Sequence, residues 1–283
     1  PGATALIAGF TNTGKSILAL QIAAAAAGGK DYLTLPDRLP MTAGEQKVLY
    51  ISTEDNIPLS RVDAVRAALG DKQANFEFES FKFPESGSER GTDDFVPLYN
   101  LLEEWVQKQR GDCMVVIDNL SVFSSLSKEA YAKDFYKKQD KLKTSYRQGG
   151  GRLTFLLVAH TADHHSCVKS IKGSEALPNH AWPILMHQQR DPKKESSPRY
   201  LVLRKLKDDR GGSDKEYDLD YRTEPFSHYE LAAEDVNTDV NVNTDVNAQD
   251  LPAIEEAQPK EGIKNAPLTP EEIAKIQQLE QEG

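Results

Sequence analysis

Cysteine is nearly absent from this chain. Its 283 residues include only Cys113 and Cys167, far apart and in no CxxC pair. That excludes a disulfide-framed module and a Cys-rich structural zinc site, and it fits a reducing cytoplasm. His164, His165 and Cys167 stand close together, but two adjacent histidines and a cysteine have no standard zinc spacing. Long apolar runs are missing as well. The longest, SILALQIAAAAA (Ser16–Ala27), is too short and too rich in alanine to span a bilayer, so no membrane partner is expected. No basic segment followed by an apolar one opens the chain, which gives no sign of a signal peptide. The chain starts at Pro1 with a strand-like segment almost at once, and is expected to be cut from a longer protein.

Excess positive charge is also lacking: the formal net charge is −10. It is unevenly spread. From Glu230 onward there are 13 acidic residues and 3 lysines, leaving 31 residues of each sign before it. The acidity is a property of the tail. VNTDVNVNTDVN (Val236–Asn247) repeats a polar unit that cannot bury a core and reads as a linker or disordered segment. LTPEEIAKIQQLEQ (Leu268–Gln281) has a capping Thr269, Pro270 at a first helical position and Glu271 and Glu272 near the positive end, the pattern of a short exposed helix. The expected organisation is one large α/β domain over 1–229, an acidic linker over 230–267 and a terminal helix over 268–283.

What is present before the tail is an alternation of strands and helices. ATALIAG (Ala3–Gly9), KVLYIS (Lys47–Ser52), CMVVID (Cys113–Asp118) and LTFLLVAH (Leu153–His160) read as buried strands. Helices are expected over Lys15–Ala27, Leu59–Gly70, Phe95–Arg110 and about Tyr131–Arg147, and AWPILMHQQ and RYLVLRKLK suggest two later strands. Apolar strands alternating with helices predict an α/β fold with a mostly parallel sheet covered on both faces.

GFTNTGKS (Gly9–Ser16) fills every fixed position of G-x-x-x-x-G-K-[ST], between a strand and a helix. In such a loop Gly9 and Gly14 let the backbone wrap close to phosphate oxygens, with Thr11, Asn12, Thr13 and Ile17 completing the cradle. Lys15 reaches the β- and γ-phosphates, Ser16 offers a hydroxyl to Mg²⁺, and the helix dipole points at the same charges. ATP and Mg are therefore the expected cofactors. Asp118, at the end of an apolar strand, suits Mg²⁺ coordination, directly or through water, with helix capping as its alternative. Glu54, directly after the second strand, is the candidate general base, and Asp55 beside it reads as a cap.

The order of P-loop, Glu, Asp and His at successive strand ends resembles the RecA-like ATPases, and within them the RepA-type hexameric replicative helicases of plasmids and phages. TNTGKSILALQIAAAAAGG, VLYISTEDN, VVIDNLSVF, FLLVAH, KGSEALPNHAW and VLRKLKDDRGG carry the match over about residues 3–212, and KGSEAL resembles the RGSSAL-like segment of that family. The resemblance implies a RecA-like P-loop fold, a homo-oligomer in the form of a hexameric ring, and single-stranded DNA as partner. It implies that His160 senses the γ-phosphate and that Lys205, Lys207 and Arg210 enter the site of a neighbouring subunit. It also implies that Arg61 stacks on adenine, although a solvated arginine fits that helix equally well. One departure stands out: the residue before Trp182, where the family carries an arginine finger, is Ala181. Lys172, Lys205, Lys207 or Arg210 must then take that part, or hydrolysis is weak.

Two segments are candidate DNA loops, about Ser121–Lys133 and Thr161–Lys172, the second carrying Lys169 and Lys172. Lys137, Lys138, Lys141, Lys143 and Arg147 could neutralise phosphates nearby, or form a solvated helix face. Against DNA stand the neutral core, the acidic tail and the lack of aromatic stacking platforms in the loops. A RecA- or KaiC-like recombination or regulatory ATPase, and a nucleotide-gated assembly protein with slow hydrolysis, remain alternative readings.

Overall fold

The computed structural model describes residues 2–29, 44–53, 57–81, 95–162, 171–172, 176–191, 194, 196–204 and 215–232. In chain order the elements are β1 (Thr4–Gly9), α1 (Lys15–Gly28), β2 (Lys47–Ser52), α2 (Leu59–Leu69), β3 (Phe76–Ser80), α3 (Val96–Lys108), β4 (Cys113–Asp118), α4 (Glu129–Gln148), β5 (Leu153–His160), α5 (Ala176–His180), β6 (Ile184–Gln189), β7 (Arg199–Arg204), β8 (Lys215–Arg222) and β9 (His228–Leu231). Short 3-10 turns occupy Gly70–Asn75, Leu120–Val122 and Ser124–Ser127. The four apolar segments expected as strands form within a residue of their sequence limits. α1 ends at the expected glycines, where Gly29 takes φ 65° and its N–H caps the Ala25 carbonyl.

Among the described residues the strands make one sheet in the order β3-β2-β4-β5-β1-β6-β7-β8-β9. The first six are mutually parallel and the last three run as an antiparallel meander. Alternation along the parallel strands divides the core into two layers. Leu6, Ile51, Ile117 and Leu157 face α3 and α4, while Ile7, Val48, Val116 and Val158 face α1 and α2. α1 is buried on nearly every side from Leu18 to Ala27, and its alanines let it lie close to the sheet. This is the RecA-like α/β architecture, with a mostly parallel sheet and helices on both faces.

Parallel pairing brings Gly9, Ser52, Asp118 and His160 to one edge of the sheet, where α/β folds hold their ligands. β7 then reverses: Gln189 pairs with Arg199 there, and Ile184 pairs with Arg204 at the opposite edge. Arg204 thus stands at the edge away from the P-loop, and β8 starts there, with Lys215 opposite Leu203.

Three strands escape the sequence reading. β3 (FEFES) lies at the sheet margin and spends alternate positions on exposed glutamates. In β8 (KEYDLDYR) only Tyr217 and Leu219 of the apolar-facing set are buried, and β9 carries the sheet past residue 229, beyond the expected domain limit. AWP is not strand: β6 begins at Ile184, after the Trp182–Pro183 peptide. The first candidate DNA loop, Ser121–Lys133, has regular local structure. It is two 3-10 turns and the first turn of α4, pinned by buried Leu120, Phe123 and Leu126. The segments Val236–Asn247 and Leu268–Gln281, and the His164, His165 and Cys167 group, lie outside the described residues. No helix among the described residues is long and apolar enough to cross a membrane.

Candidate nucleotide site

A cleft of about 1000 Å³ opens at the carboxyl edge of the parallel strands. Its wall includes Thr11, Asn12, Gly14, Lys15, Ser16 and Ile17 from the P-loop and α1, Arg61 from α2, and Asp118 and His160 from β4 and β5. Arg199, Tyr221 and Tyr229 close the other side. Sequence-predicted residues from three strand ends, those of β1, β4 and β5, and from two helices thus meet in one concavity. A smaller cavity of about 530 Å³ between α3 and α4, with Arg110 and Tyr146 in its wall, holds none of them.

The loop keeps its shape through its own polar groups. The Thr13 hydroxyl donates to the Phe10 carbonyl at 3.0 Å and Lys15 Nζ donates to the same oxygen at 2.7 Å. Thr13 is buried, so its hydroxyl serves the loop and not the cleft. Asn12 takes a left-handed φ of 63°, and Gly14 has φ 98°. The two glycines are required for a reason the motif alone does not give. A Cβ at Gly9 would lie 2.1 Å from the His187 carbonyl oxygen on β6, and one at Gly14 would lie 2.1 Å from Tyr229 Oη on β9. Other strands press on the loop, and only glycine admits them.

On the acidic side, Asp118 is buried and accepts a hydrogen bond from Tyr50 Oη at 2.6 Å. Burial, followed by the carboxylate itself, raises the Tyr50 phenol well above its ordinary pKa, so it stays a donor. The end of β2 is locked to the end of β4. Thr53 N donates to the Asp118 carbonyl at 2.7 Å, and the Thr53 hydroxyl donates to the Asn119 carbonyl while accepting from Asn119 N. The chain therefore leaves Thr53 toward Glu54 from a fixed point beside Asp118; Glu54 and Asp55 lie outside the described residues. Asn119 Oδ1 accepts from Ser121 N, which turns Nδ2 toward His160 Nε2 at 3.2 Å. That geometry suits a neutral imidazole accepting on Nε2. Ser121 and Asn119 thus make Asp118 a strand end, with the cap supplied by its neighbour.

These residues fit a nucleotide triphosphate with Mg²⁺. Lys15, Arg61 and Arg199 bring positive charge to the cleft wall, and Ser16 and Asp118 offer the one or two protein oxygens that Mg²⁺ takes beside water and phosphate ligands. Lys205, Lys207, Arg210 and Lys169 lie outside the described residues, and Lys172 is exposed away from the cleft wall. Ala181 is fully buried, and Trp182 N beside it donates to the Thr4 carbonyl at the start of β1. Even an arginine there would start from the edge opposite its own P-loop.

A parallel sheet with a P-loop on β1, a carboxylate on β4 and one strand between them is the arrangement of a RecA-like P-loop ATPase. The chain belongs to the AAA_25 family, described as an AAA domain, which it matches over residues 1–165. Among solved structures it is similar to one titled the crystal structure of the RadB recombinase, at 15% identity, with a TM-score of 0.51, covering 82% of this chain and 91% of that one. No curated protein sequence matches it.

Several residues of the site were not picked out from sequence. Tyr50 and Asn119 flank motifs that were read, and the signal was there: a tyrosine in an otherwise apolar strand and an amide directly after its carboxylate. His187, Arg199 and Tyr229 gave no local signal. His187 is fully buried, and burial, then Lys15 and Arg199, lower its pKa to about 3, so the ring is neutral. Gln21, the polar break in the alanine run of α1, donates to the Tyr229 carbonyl at 2.7 Å and accepts from Tyr229 N at 2.9 Å.

Proposed function

We propose that this domain hydrolyses ATP with Mg²⁺ and couples turnover to single-stranded DNA within a homo-oligomeric, hexameric ring, as a RepA-type replicative helicase. In this reading the P-loop backbone and Lys15 bind the phosphates, Ser16 and Asp118 hold the metal, and Glu54 takes the proton of the attacking water. Arg61 contacts the base. His160 senses the phosphate, and Lys169 and Lys172 meet DNA.

The observation that carries the coupling is a hydrogen-bonded path out of the site. Asn119, the residue after Asp118, faces His160 at 3.2 Å, and the His160 carbonyl accepts from Lys172 N at 2.7 Å. A bridge between Thr161 and Ile171 closes the excursion that contains Lys169. A displaced His160 would therefore pull on both roots of that excursion. Bases from Lys205 to Arg210 follow a strand end that faces away from the chain's own P-loop, which supports their service to a neighbour. The test is ATPase rate with and without single-stranded DNA, with particle mass measured in both states. DNA-stimulated turnover by a closed oligomer is expected; a monomer indifferent to DNA would defeat the reading.

The fold likeness to a structure titled as a recombinase supports a second reading, a recombination ATPase. In that case ATP and DNA would produce open filaments of growing mass in place of a closed ring.

A further inference from the structure

We propose that Arg199 is a positioning residue for the phosphate loop: from the first position of β7 it holds the Thr13–Gly14 peptide so that the Gly14 N–H faces the phosphate cradle. The proposal rests on reading the cleft as a nucleotide site. Arg199 Nε donates to the Thr13 carbonyl at 2.8 Å and Nη1 donates to the Ser197 carbonyl at 2.9 Å. Two bonds from one planar fork to two backbone oxygens fix the guanidinium in the cleft wall.

The consequence for Gly14 follows from peptide geometry. In a planar trans peptide the C=O and the next N–H point in opposite directions. With the Thr13 oxygen held on Arg199, the Gly14 N–H is turned to the opposite side of that peptide, the side proposed to meet phosphate. The positive charge on the carbonyl also polarises the peptide and makes that N–H a better donor to an anion. Nothing else in the loop binds this carbonyl among the described hydrogen bonds; the Thr13 hydroxyl and Lys15 both turn to Phe10.

Gly14 is gripped on its other side too. Its α-carbon lies against Tyr229 Oη, so near that a Cβ would come within 2.1 Å. Tyr229 is itself tied to α1 through the two backbone bonds of Gln21. β7 and β9 together therefore set the one glycine of the loop with a strongly positive φ. Both strands lie beyond residue 165, outside the stretch that matches the family. The loop motif is common to P-loop proteins; what fixes its central peptide here comes from the antiparallel flank.

The experiment measures ADP and AMP affinity by calorimetry, and melting temperature without nucleotide, for the parent, Lys15→Ala, Arg199→Ala and Arg199→Lys. Arg199→Ala is expected to weaken ADP by about ten- to hundredfold, the worth of a charge-assisted hydrogen bond. AMP, which lacks the β-phosphate, should lose much less, the ligand-free melting temperature should hold, and Arg199→Lys should recover part of the ADP affinity. Parent-like ADP binding by Arg199→Ala, with Lys15→Ala defective, overturns the role of Arg199 and leaves the nucleotide reading intact. Equal losses for ADP and AMP with a lowered melting temperature also overturn it, since that is simple support of the fold. A parent that binds no ADP removes the nucleotide reading, and this proposal falls with it.

Discussion

The two halves of the sheet are built differently and treat the phosphate loop differently. The parallel half, from β3 to β6, buries apolar strands on both faces everywhere but at its marginal strand β3, and delivers Lys15, Asp118 and His160 to one edge. In the antiparallel half, from β7 to β9, β7 is still buried on both faces at Leu201, Val202 and Leu203, but β8 alternates buried Tyr217 and Leu219 with polar residues, and the half is laced with surface ion pairs. Arg190 reaches Glu216 and Asp218 from the β6–β7 turn and stacks on Tyr200 at 4.3 Å, and Arg222 meets Glu230 at 2.9 Å. The first half supplies the candidate nucleotide contacts; the second presses on the loop from outside through Arg199 and Tyr229. Chemistry and the geometry that serves it come from regions with different sequence character.

The division can be broken most sharply between chains. β7 ends with Arg204 at the edge away from the chain's own P-loop, and if the bases that follow in sequence serve a neighbour, Arg210→Ala should lower turnover by about 10³–10⁵-fold and spare ATP affinity. Mixing it with the equally inactive Lys15→Ala protein should restore part of the activity, because some interfaces then pair an intact loop with an intact Arg210. No recovery despite proven co-assembly moves the test to Lys172, Lys205 and Lys207. Within the parallel half, Glu54→Gln should bind ATP and lose about 10²–10⁴-fold in rate. Single-turnover assays that find it as fast as the parent, with Asp55→Asn slow, would assign the base to Asp55.

The antiparallel half is probed by smaller effects. Gln21→Leu strips two buried backbone groups of Tyr229 of their partner, at about 1–3 kcal/mol for each group left unsatisfied. Urea unfolding should show that loss, and ADP affinity should fall with it if β9 braces Gly14; full ADP affinity in a destabilised protein would separate the meander from the loop. The smallest effect concerns His187. Its folded pKa of about 3 lies below its ordinary 6.5, so between these values the unfolded chain binds the proton and the folded one does not. Its contribution to stability is intact above pH 6.5 and is lost as pH falls, by about 2 kcal/mol at pH 5. Replacement by leucine should flatten the stability profile across pH 5–7 relative to the parent, and an unchanged slope would show that His187 takes up its proton when folded.

The same division decides what the sequence discloses. Ala3–Gly9, Lys47–Ser52, Cys113–Asp118 and Leu153–His160 are legible because a strand buried on both faces must be apolar at every position. The residue that ends each run is then conspicuous; Asp118 is found that way, while His160 takes its expected role from the family resemblance. β3 and β8 are hidden because half of each strand faces water and carries Glu, Asp or Lys, a pattern shared with loops. Arg199 and Tyr229 are out of reach for a different reason. Their roles depend on pairing with residues 186 and 208 positions away, and nothing local marks Arg199 as the partner of Thr13 or Tyr229 as the partner of Gln21. In the first DNA-loop segment Leu120, Phe123 and Leu126 recur at intervals of three and are buried, a short-turn pattern that the sequence reading did not use.

β7 has an arginine at each end. Arg199 holds the loop of its own chain, and five residues later Arg204 leads into the bases proposed to serve the next chain, with β6 and β8 hydrogen-bonded along both sides between them. At about 3.3 Å per residue that strut is about 17 Å long and has little freedom to stretch. In a ring assembled this way, a phosphate loop that tightens around its ligand pushes or pulls on the far end of the same strut. Neighbouring sites would then fire in sequence because they share a length of backbone, with no need for the subunit to change shape as a whole.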